Sequence, residues 1–351
     1  MSSMGIEEYS RKLNCADEAE CIYAAEDIGY MNGADGVPVL LERLSKRASR
    51  AVRDAIFQAL TRIEADVAIE GSIGLLESDD PQIRNQAVAL LRRKGAACVP
   101  FLRTAMRKGD KDIRKLVLDV LIGFQASGVE AIYEAALADK DINVVITAVE
   151  NLGKTQATHF RRNVEDLLQS GAHPMLAGAC LEALAGIGNE LSLVAIRRCF
   201  PELGKLPDFF LVSCLKAFGA LGTAGEFDEV AGLLAARGPQ IRPAILGALI
   251  AVHQRHPAKA HGDVLLPAIK AVAENGDPPL GRYEAVRALG FLSERDDVYA
   301  FLISCLSSSE RLVRLGAIES LRETERPDLK GVLASWAAQE KDEEVLQALR
   351  W

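Results

Sequence analysis

Apolar residues in the segment 80–114 recur at the spacing of two consecutive amphipathic helices. The first helix is predicted to begin at Asp80 and Pro81, residue types that favour an N-cap and a first helical position, and to end at Gly95. The same pattern starts again at Asp110. The predicted apolar stripes are Ile83, Ala87, Leu90 and Leu91 on the first helix, and Val99, Leu102 and Met106 on the second. A helix pair of this length cannot bury both stripes alone, so it needs copies of itself stacked on either side.

Ten copies of the pattern align along the chain with a step close to 31 residues, interrupted by two longer steps of 35 and 40 residues. The aligned first-helix positions are Ala24, Ile56, Ala87, Val117, Ala148, Ala179, Cys214, Ile245, Ala285 and Ala317. The aligned second-helix positions are Val37, Ile69, Val99, Val129, Phe160, Leu193, Phe227, Leu266, Val298 and Leu329. A fixed period indicates stacked repeats. We therefore predict an all-α, right-handed α-solenoid of about ten helix pairs with terminal caps, and keep an irregular helical bundle as the alternative.

The domain organisation follows from the same alignment. We expect residues 1–16 to form an N-terminal cap segment and residues 17–351 to form a single solenoid, because exposed terminal repeats need a polar cover. The longer link at 201–208 and the longer turn at 256–262 are short enough to be surface loops. A change of curvature is possible near 201–208.

The repeat units resemble HEAT-like repeats, of the subtype named after phycobilin lyases, over almost the whole chain. The matching residues open the first helices. The pattern is Asp-Pro-x-Ile/Val-Arg or its apolar-arginine part: Asp80-Pro81-Gln82-Ile83-Arg84, the segment 110–114, Val52-Arg53, Ile241-Arg242 and Val313-Arg314. The resemblance implies an armadillo-like superhelix in which the aspartate and arginine form a ladder along the solenoid. Val145, Leu176 and Leu211 stand where this ladder would have an arginine. The resemblance implies little about function, because such repeats serve enzymes, scaffolds and adaptors alike.

Composition narrows the possible functions. The 351 residues carry a net charge of −8 with mixed signs and only 5% aromatic residues, which argues against a surface that coats nucleic acid. The seven cysteines include no Cys-x-x-Cys pair, a usage typical of a reducing compartment. No signal peptide is visible at the start, and the apolar run 245–252 is far too short to span a bilayer. We therefore expect a cytoplasmic protein.

No catalytic or metal-binding motif emerges from the chain. His253, His256 and His261 cluster around the longer turn, but they lack a helical His pair or a nearby thiolate. We interpret them as a solvated loop, with a metal site as the alternative. No glutamate stands beside a histidine, so the paired motifs of the HEAT-like deoxyhypusine hydroxylases are missing. We expect no catalytic residue, no metal and no cofactor.

Cations at one second-helix position are the candidate site. In most repeats the residue four positions after the one aligned with Val99 is apolar or small. In three repeats it is a cation: Arg103, Arg197 and Lys270. In HEAT-like architectures the second helices line the concave face, so these cations and Arg107, one turn beyond Arg103, could bind an acidic partner. A secondary basic patch comprises Arg92, Arg93, Lys111, Arg114 and Lys115. The alternatives are a solvated charged face and long side chains that reach past the core to water.

We therefore expect a non-enzymatic adaptor or scaffold that binds another protein on its concave face, where the cations favour an acidic partner. Two alternatives stay open. The first is a phycobilin-lyase-like protein or lyase subunit, suggested by the repeat subtype alone. The second is nucleic-acid or phosphate binding through the basic patch, against which the net acidity and the scarcity of aromatics weigh. The sequence shows no feature that would place the protein on a membrane.

Overall fold

The structure is a computed structural model that describes residues 5–31, 33–171, 173–238, 240–274 and 278–349. Chain contacts divide the protein into two compact units, residues 1–155 and residues 156–351. Within the described ranges all regular structure is helical, and no strand occurs. This confirms the predicted all-α class.

The described part of the first unit contains ten α-helices. They are α1 (Ile6–Leu13), α2 (Glu18–Tyr30), α3 (Val37–Leu44), α4 (Arg50–Arg62), α5 (Asp66–Gly74), α6 (Pro81–Lys94), α7 (Val99–Lys108), α8 (Lys111–Val120), α9 (Val129–Leu137) and α10 (Ile142–Lys154). The even-numbered helices from α2 to α10 pack each on the next, and α3, α5, α7 and α9 do the same. The unit is thus a stack of helix pairs, as the repeat predicted.

The second unit is described by twelve helices. They are α11 (Arg161–Gln169), α12 (Pro174–Ile187), α13 (Glu190–Cys199), α14 (Asp208–Leu221), α15 (Ala224–Ala236), α16 (Arg242–Arg255), α17 (Lys259–Glu274), α18 (Pro279–Arg287), α19 (Asp296–Cys305), α20 (Arg311–Leu321), α21 (Leu329–Ala337) and α22 (Glu343–Gln347). The first helices α12, α14, α16, α18 and α20 again pack in sequence order. This unit is also a solenoid of helix pairs.

The aligned apolar positions form the core of both units. All ten first-helix positions and all ten second-helix positions identified in the sequence are buried. Burial of apolar surface is the main favourable term in folding, and here each repeat supplies it to its neighbours. The register derived from the sequence is therefore confirmed at every repeat.

Aspartates in the links start several first helices. Asp80 accepts a hydrogen bond from the backbone N–H of Gln82 at 2.8 Å, and Asp110 accepts one from Asp112 at 2.8 Å. Asp17 and Asp141 cap α2 and α10 in the same way. Each cap satisfies a backbone donor that the helix leaves unpaired at its start, so the aspartate marks where these four repeats begin.

Glycine is needed at two positions for different structural reasons. Gly95 ends α6 with φ +62°, a left-handed backbone that favours glycine, as the sequence predicted for a turn between helices. Gly29 lies inside α2, and a Cβ there would stand 2.7 Å from Cα of Ala59. The lack of a side chain at Gly29 therefore allows α2 and α4 to approach closely.

The terminal segments contain the helices α1 and α22. Residues 1–4 of the predicted N-terminal cap, and Arg350 and Trp351 at the end of the predicted solenoid, lie outside the described residues. Pro239 and Asp277, two of the predicted link residues, also lie outside them. The boundaries 1–16 and 17–351 and the change of curvature near 201–208 stay predictions.

Among the helices that the structure describes, none combines the length and apolar character needed to cross a lipid bilayer. The cytoplasmic location stays a prediction.

Candidate functional site

Helix α7 exposes three cations, Lys108 in its last turn and the two candidate residues Arg103 and Arg107. Val99, Leu102 and Met106 are buried, at the spacing of one helix face, and this leaves Arg103 and Arg107 exposed. Neither arginine makes a hydrogen bond or ion pair with any described residue. Both positive charges are therefore available to a binding partner.

The helices on either side of α7 expose acidic residues. Glu70 on α5 and Glu134 on α9 are both exposed. The second-helix surface of the first unit thus presents two unpaired arginines on one helix between helices that carry carboxylates. This charge pattern can select an acidic segment and orient it along α7.

Arg197, in the second unit, has intramolecular partners. Its guanidinium lies 2.5 Å from the Glu229 carboxylate and 3.9 Å from that of Glu226, and its Cζ stands 4.4 Å from the centre of the Phe218 ring. The carboxylates come from α15, the next second helix. We therefore expect a smaller contribution to partner binding from Arg197 than from Arg103.

Lys270 is half-buried on α17 of the same unit. Its Nζ lies 5.1 Å from the centre of the Phe301 ring on α19, within the range of a cation–π interaction. This geometry matches the alternative in which a long side chain passes along apolar surface towards water. The role of Lys270 in partner binding stays a prediction.

The secondary basic patch is spread along α8. Arg92 donates from Nη2 to the carbonyl oxygen of Asp119, near the end of α8, at 2.6 Å. Lys111 and Lys115 lie at the start of that helix, where Lys115 pairs with Asp112 at 2.9 Å. Eight residues of helix separate Lys111 from Asp119, roughly 12 Å. Arg93 and Lys111 are exposed and have no hydrogen-bond or ion-pair partner in the described chain.

Arg114 differs from the rest of this patch because it is buried. Its guanidinium makes two hydrogen bonds to the Asp139 carboxylate, at 2.6 and 2.7 Å, and a third to the carbonyl oxygen of Gly109 at 2.9 Å. The bond to Asp139 is the first cause of a raised pKa of Arg114. This side chain holds two links of the solenoid together. A binding role for the other four cations of the patch stays a prediction.

The ladder that the family resemblance implied recurs within each unit. An arginine in the first turns of a first helix pairs with a carboxylate in the next link. The pairs are Arg53 with Asp80 at 3.1 Å, Arg114 with Asp139 at 2.6 Å, and Arg314 with Glu340 at 2.7 Å. Arg84, Arg114 and Arg314 also donate to a backbone carbonyl of the preceding link. The motif arginines therefore stabilise the stack.

The histidines of the longer turn are not all solvated, and the interpretation as a solvated loop is wrong for two of them. His253 and His261 are buried, with their Nδ1 atoms 3.0 Å apart, and the His261 ring stacks on Phe227 at 3.7 Å between centres. Only His256 is exposed. The helical positions of His253 and His261 bring them onto the core side, where aromatic packing covers them.

No three His, Cys, Asp or Glu side chains in the described ranges lie where they could hold a metal ion together.

The buried histidine pair predicts an acid-sensitive stability. Burial lowers the pKa of His253 and of His261; the neighbouring His261 lowers that of His253 further, while Asp228 partly offsets the effect at His261. The folded state favours the neutral form of both histidines. Their contribution to folding stability is therefore present above the usual histidine pKa of about 6.5 and is lost as the pH falls below it. Urea unfolding at about pH 7.5 and about pH 5 should show a lower midpoint in acid.

His253→Leu removes one imidazole and should reduce this pH dependence. His256→Gln, at an exposed position, is the control and should change this dependence less, because the charge of His256 is only the smallest of the three causes that shift the pKa of His261. Equal pH dependence in the unmodified protein and His253→Leu would contradict the assignment.

The comparisons with known proteins agree with the repeat geometry. A family model described as HEAT repeats matches residues 266–351. A search of curated proteins gives no match to this chain.

Solved structures of similar fold cover nearly the whole chain. A chain in a structure of Kap95p bound to RanGDP aligns with TM-score 0.67 and 12% identity, over 98% of this chain and 56% of that one. Importin beta aligns with TM-score 0.61 and 11% identity, over 95% and 56% of the two chains. Kap121p bound to Pho4p aligns with TM-score 0.51 and 12% identity, over 98% and 44%. This chain spans about half the length of these structures, and at such identities the likeness shows the fold.

Proposed function

We propose that this chain, a HEAT-repeat solenoid, is a non-enzymatic adaptor that binds an acidic segment of a partner protein on its second-helix surface. The observation that carries the proposal is the pair Arg103 and Arg107, which α7 exposes without intramolecular partners. An exposed arginine can form two parallel hydrogen bonds with a carboxylate, so two of them one helical turn apart favour an acidic peptide.

The fold supports a protein as the partner. The similar structures include Kap95p with RanGDP and Kap121p with Pho4p, and both of those solenoids hold a second protein. Stacked repeats present a long continuous surface on which a partner can bind without a deep pocket.

The four candidate cations are expected to contribute unequally. Arg103 and Arg107 have no hydrogen bond or ion pair with the described residues, whereas Arg197 already pairs with Glu229 and Lys270 lies over an aromatic ring. A partner carboxylate at Arg197 would have to compete with Glu229. Binding should therefore depend mainly on α7.

Arg103→Ala with Arg107→Ala is expected to weaken partner binding by roughly 1–3 kcal/mol, because two charged contacts are removed without loss of core packing. Adding Arg197→Ala and Lys270→Ala should weaken it by less than the first pair. The partner is identified by affinity capture from native extract with mass spectrometry, and its affinity for each variant is then measured by calorimetry at two salt concentrations. Binding to the unmodified protein should fall with added salt.

Arg47→Ala is the matched control, because Arg47 is an exposed arginine before α4, belongs to neither candidate set, and has no side-chain hydrogen bond or ion pair with the described residues. It should bind normally, and this variant and the double variant of Arg103 and Arg107 should melt like the unmodified protein, since exposed substitutions usually change stability by less than about 0.5 kcal/mol. Normal binding by the quadruple variant would mean that these cations are only a solvated surface.

A further inference from the structure

Three phenylalanines gather around the longer link at 201–208. Phe200 follows α13, and Phe209 and Phe210 lie in the first turn of α14. The ring centres of Phe200 and Phe210 are 5.5 Å apart, and those of Phe209 and Phe210 are 5.2 Å apart. Phe209 is 59% exposed. A large exposed aromatic beside other aromatics often marks an interaction surface.

The Phe209 ring covers part of α12. A Cβ at Gly178 would lie 3.1 Å from Cζ of Phe209, so the absence of a side chain there lets the ring approach the helix. Met175, one turn earlier on α12, is also 59% exposed. The aromatic cluster and α12 thus form one continuous apolar surface.

A groove of about 460 Å³ opens beside this cluster. Phe200 and Phe210 line one side, Pro174 and Ala177 of α12 line the other, and Arg198 also borders it. This volume falls within the range of pockets that hold small ligands or single side chains, roughly 300–1,000 Å³.

The border of the groove carries an uncompensated positive charge. Arg198 is exposed and forms neither a hydrogen bond nor an ion pair with the described residues. The nearest acids of the link are already paired, Glu202 with Lys205 at 2.7 Å and Asp208 with Arg237 at 3.2 Å. The positive end of the α12 dipole also lies here, where Pro174 occupies the first helical position. An apolar groove with a cation at its border complements an apolar side chain that stands next to a carboxylate.

We propose that this groove, bounded by Arg198, Phe200, Phe210 and α12, docks a short segment of a partner protein that carries a large apolar residue beside an acidic one. The proposal rests on the proposed adaptor function and adds a second surface to it, within the second unit. The apolar side chain contacts Phe200 and Phe210, and the carboxylate pairs with Arg198. Phe209 lies beside Phe210 and is exposed, so it extends the apolar surface that the bound segment contacts next to the groove.

Fluorescence anisotropy with two labelled peptides tests this surface. The acidic peptide is Gly-Ser-Asp-Glu-Leu-Phe-Asp-Ser-Gly, and its twin carries lysine in place of every acidic residue. The unmodified full-length protein should bind the acidic peptide saturably and prefer it to the twin. Arg198→Glu should weaken binding of the acidic peptide at least about tenfold and strengthen binding of the twin, because the charge pairing is reversed.

Phe209→Ser, at an exposed position, should weaken binding of the acidic peptide about tenfold, since truncation of an aromatic side chain at an interface commonly lowers the affinity by that factor. Leu191→Ser is the matched control, because Leu191 is also exposed and lies at the other end of α13. Circular dichroism melts verify that each variant is folded. A peptide with alanine in place of leucine and phenylalanine should not bind.

Three outcomes would overturn the proposal: no saturable binding of the acidic peptide at millimolar concentration, equal binding by Arg198→Glu, or equal binding of the alanine peptide. Binding of decanoate at the groove without binding of the peptide would also contradict it, since it would assign the groove to a small amphiphile. The Arg103 and Arg107 variants could lose binding to the natural partner while the unmodified protein does not bind the peptide. That result would support the adaptor function and reject the groove as a docking surface.

Discussion

Leu91→Asp is expected to destabilise the first unit by about 3 kcal/mol or more. Leu91 lies on α6 with no exposed surface, so the substitution places an unpaired carboxylate in the core. Because stacked repeats support their neighbours, the loss should extend beyond α6 to the helices packed on it. Urea unfolding followed by circular dichroism should show a lower midpoint, and hydrogen exchange should show faster exchange in α4 and α8 as well as in α6.

Leu191→Asp is the matched control, since it makes the same chemical change at a leucine that is 62% exposed. It should change the free energy of unfolding by less than about 0.5 kcal/mol. Unchanged melting of Leu91→Asp would show that the register of the first helices has been assigned wrongly.

The sequence predicted the fold well because burial repeats with a fixed period. Each aligned position, such as Ala87 on α6 and Val99 on α7, has the same environment in every repeat, so ten weak signals add to one strong one. Asn151 is an instructive exception. It holds a position, three residues after Ala148, that is small or apolar in most repeats, and it can be buried because its amide donates to the carbonyl oxygen of Leu118 at 3.1 Å. The repeat period predicts that this position faces the core, but it does not predict the hydrogen bond, because the acceptor lies on the neighbouring helix.

The candidate site could be predicted only in part. The helix period placed Arg103 and Arg197 at the same position of their repeats, yet the first has no partner and the second pairs with Glu229. Whether a cation is free depends on the acids of the next repeat, which its own helix does not reveal. The burial of His253 and His261 was missed for the same reason, since it follows from packing against Phe227.

The sequence contains a feature that indicates the aromatic groove, in a segment that we predict only as a surface loop. The segment 201–208 lengthens one repeat, and phenylalanines stand directly on both sides of it, at Phe200 and Phe209. Loops on a rigid scaffold often carry binding residues, so an insertion flanked by aromatics is a reason to look for a surface there.

Arg114→Ala is expected to lower the free energy of unfolding by about 3 kcal/mol, because it leaves the Asp139 carboxylate buried without its cation. The two side chains are only 8% and 9% exposed. Asp139 keeps one hydrogen bond, from the backbone N–H of Asp141 at 2.8 Å, which is too little to compensate a buried charge. Urea unfolding measures the loss directly.

Arg53→Ala is the matched control, because Arg53 and Asp80 form the same ladder contact with side chains that are 21% and 39% exposed. Water can solvate the remaining Asp80 carboxylate, so the loss should be about 1 kcal/mol or less. The double variant Arg114→Ala with Asp139→Ala should lose less than the sum of its single variants, since neither charge is left buried alone. Equal losses for Arg53→Ala and Arg114→Ala would mean that burial does not set the strength of the ladder, and Arg114 would then return to the surface patch as a candidate for binding a partner.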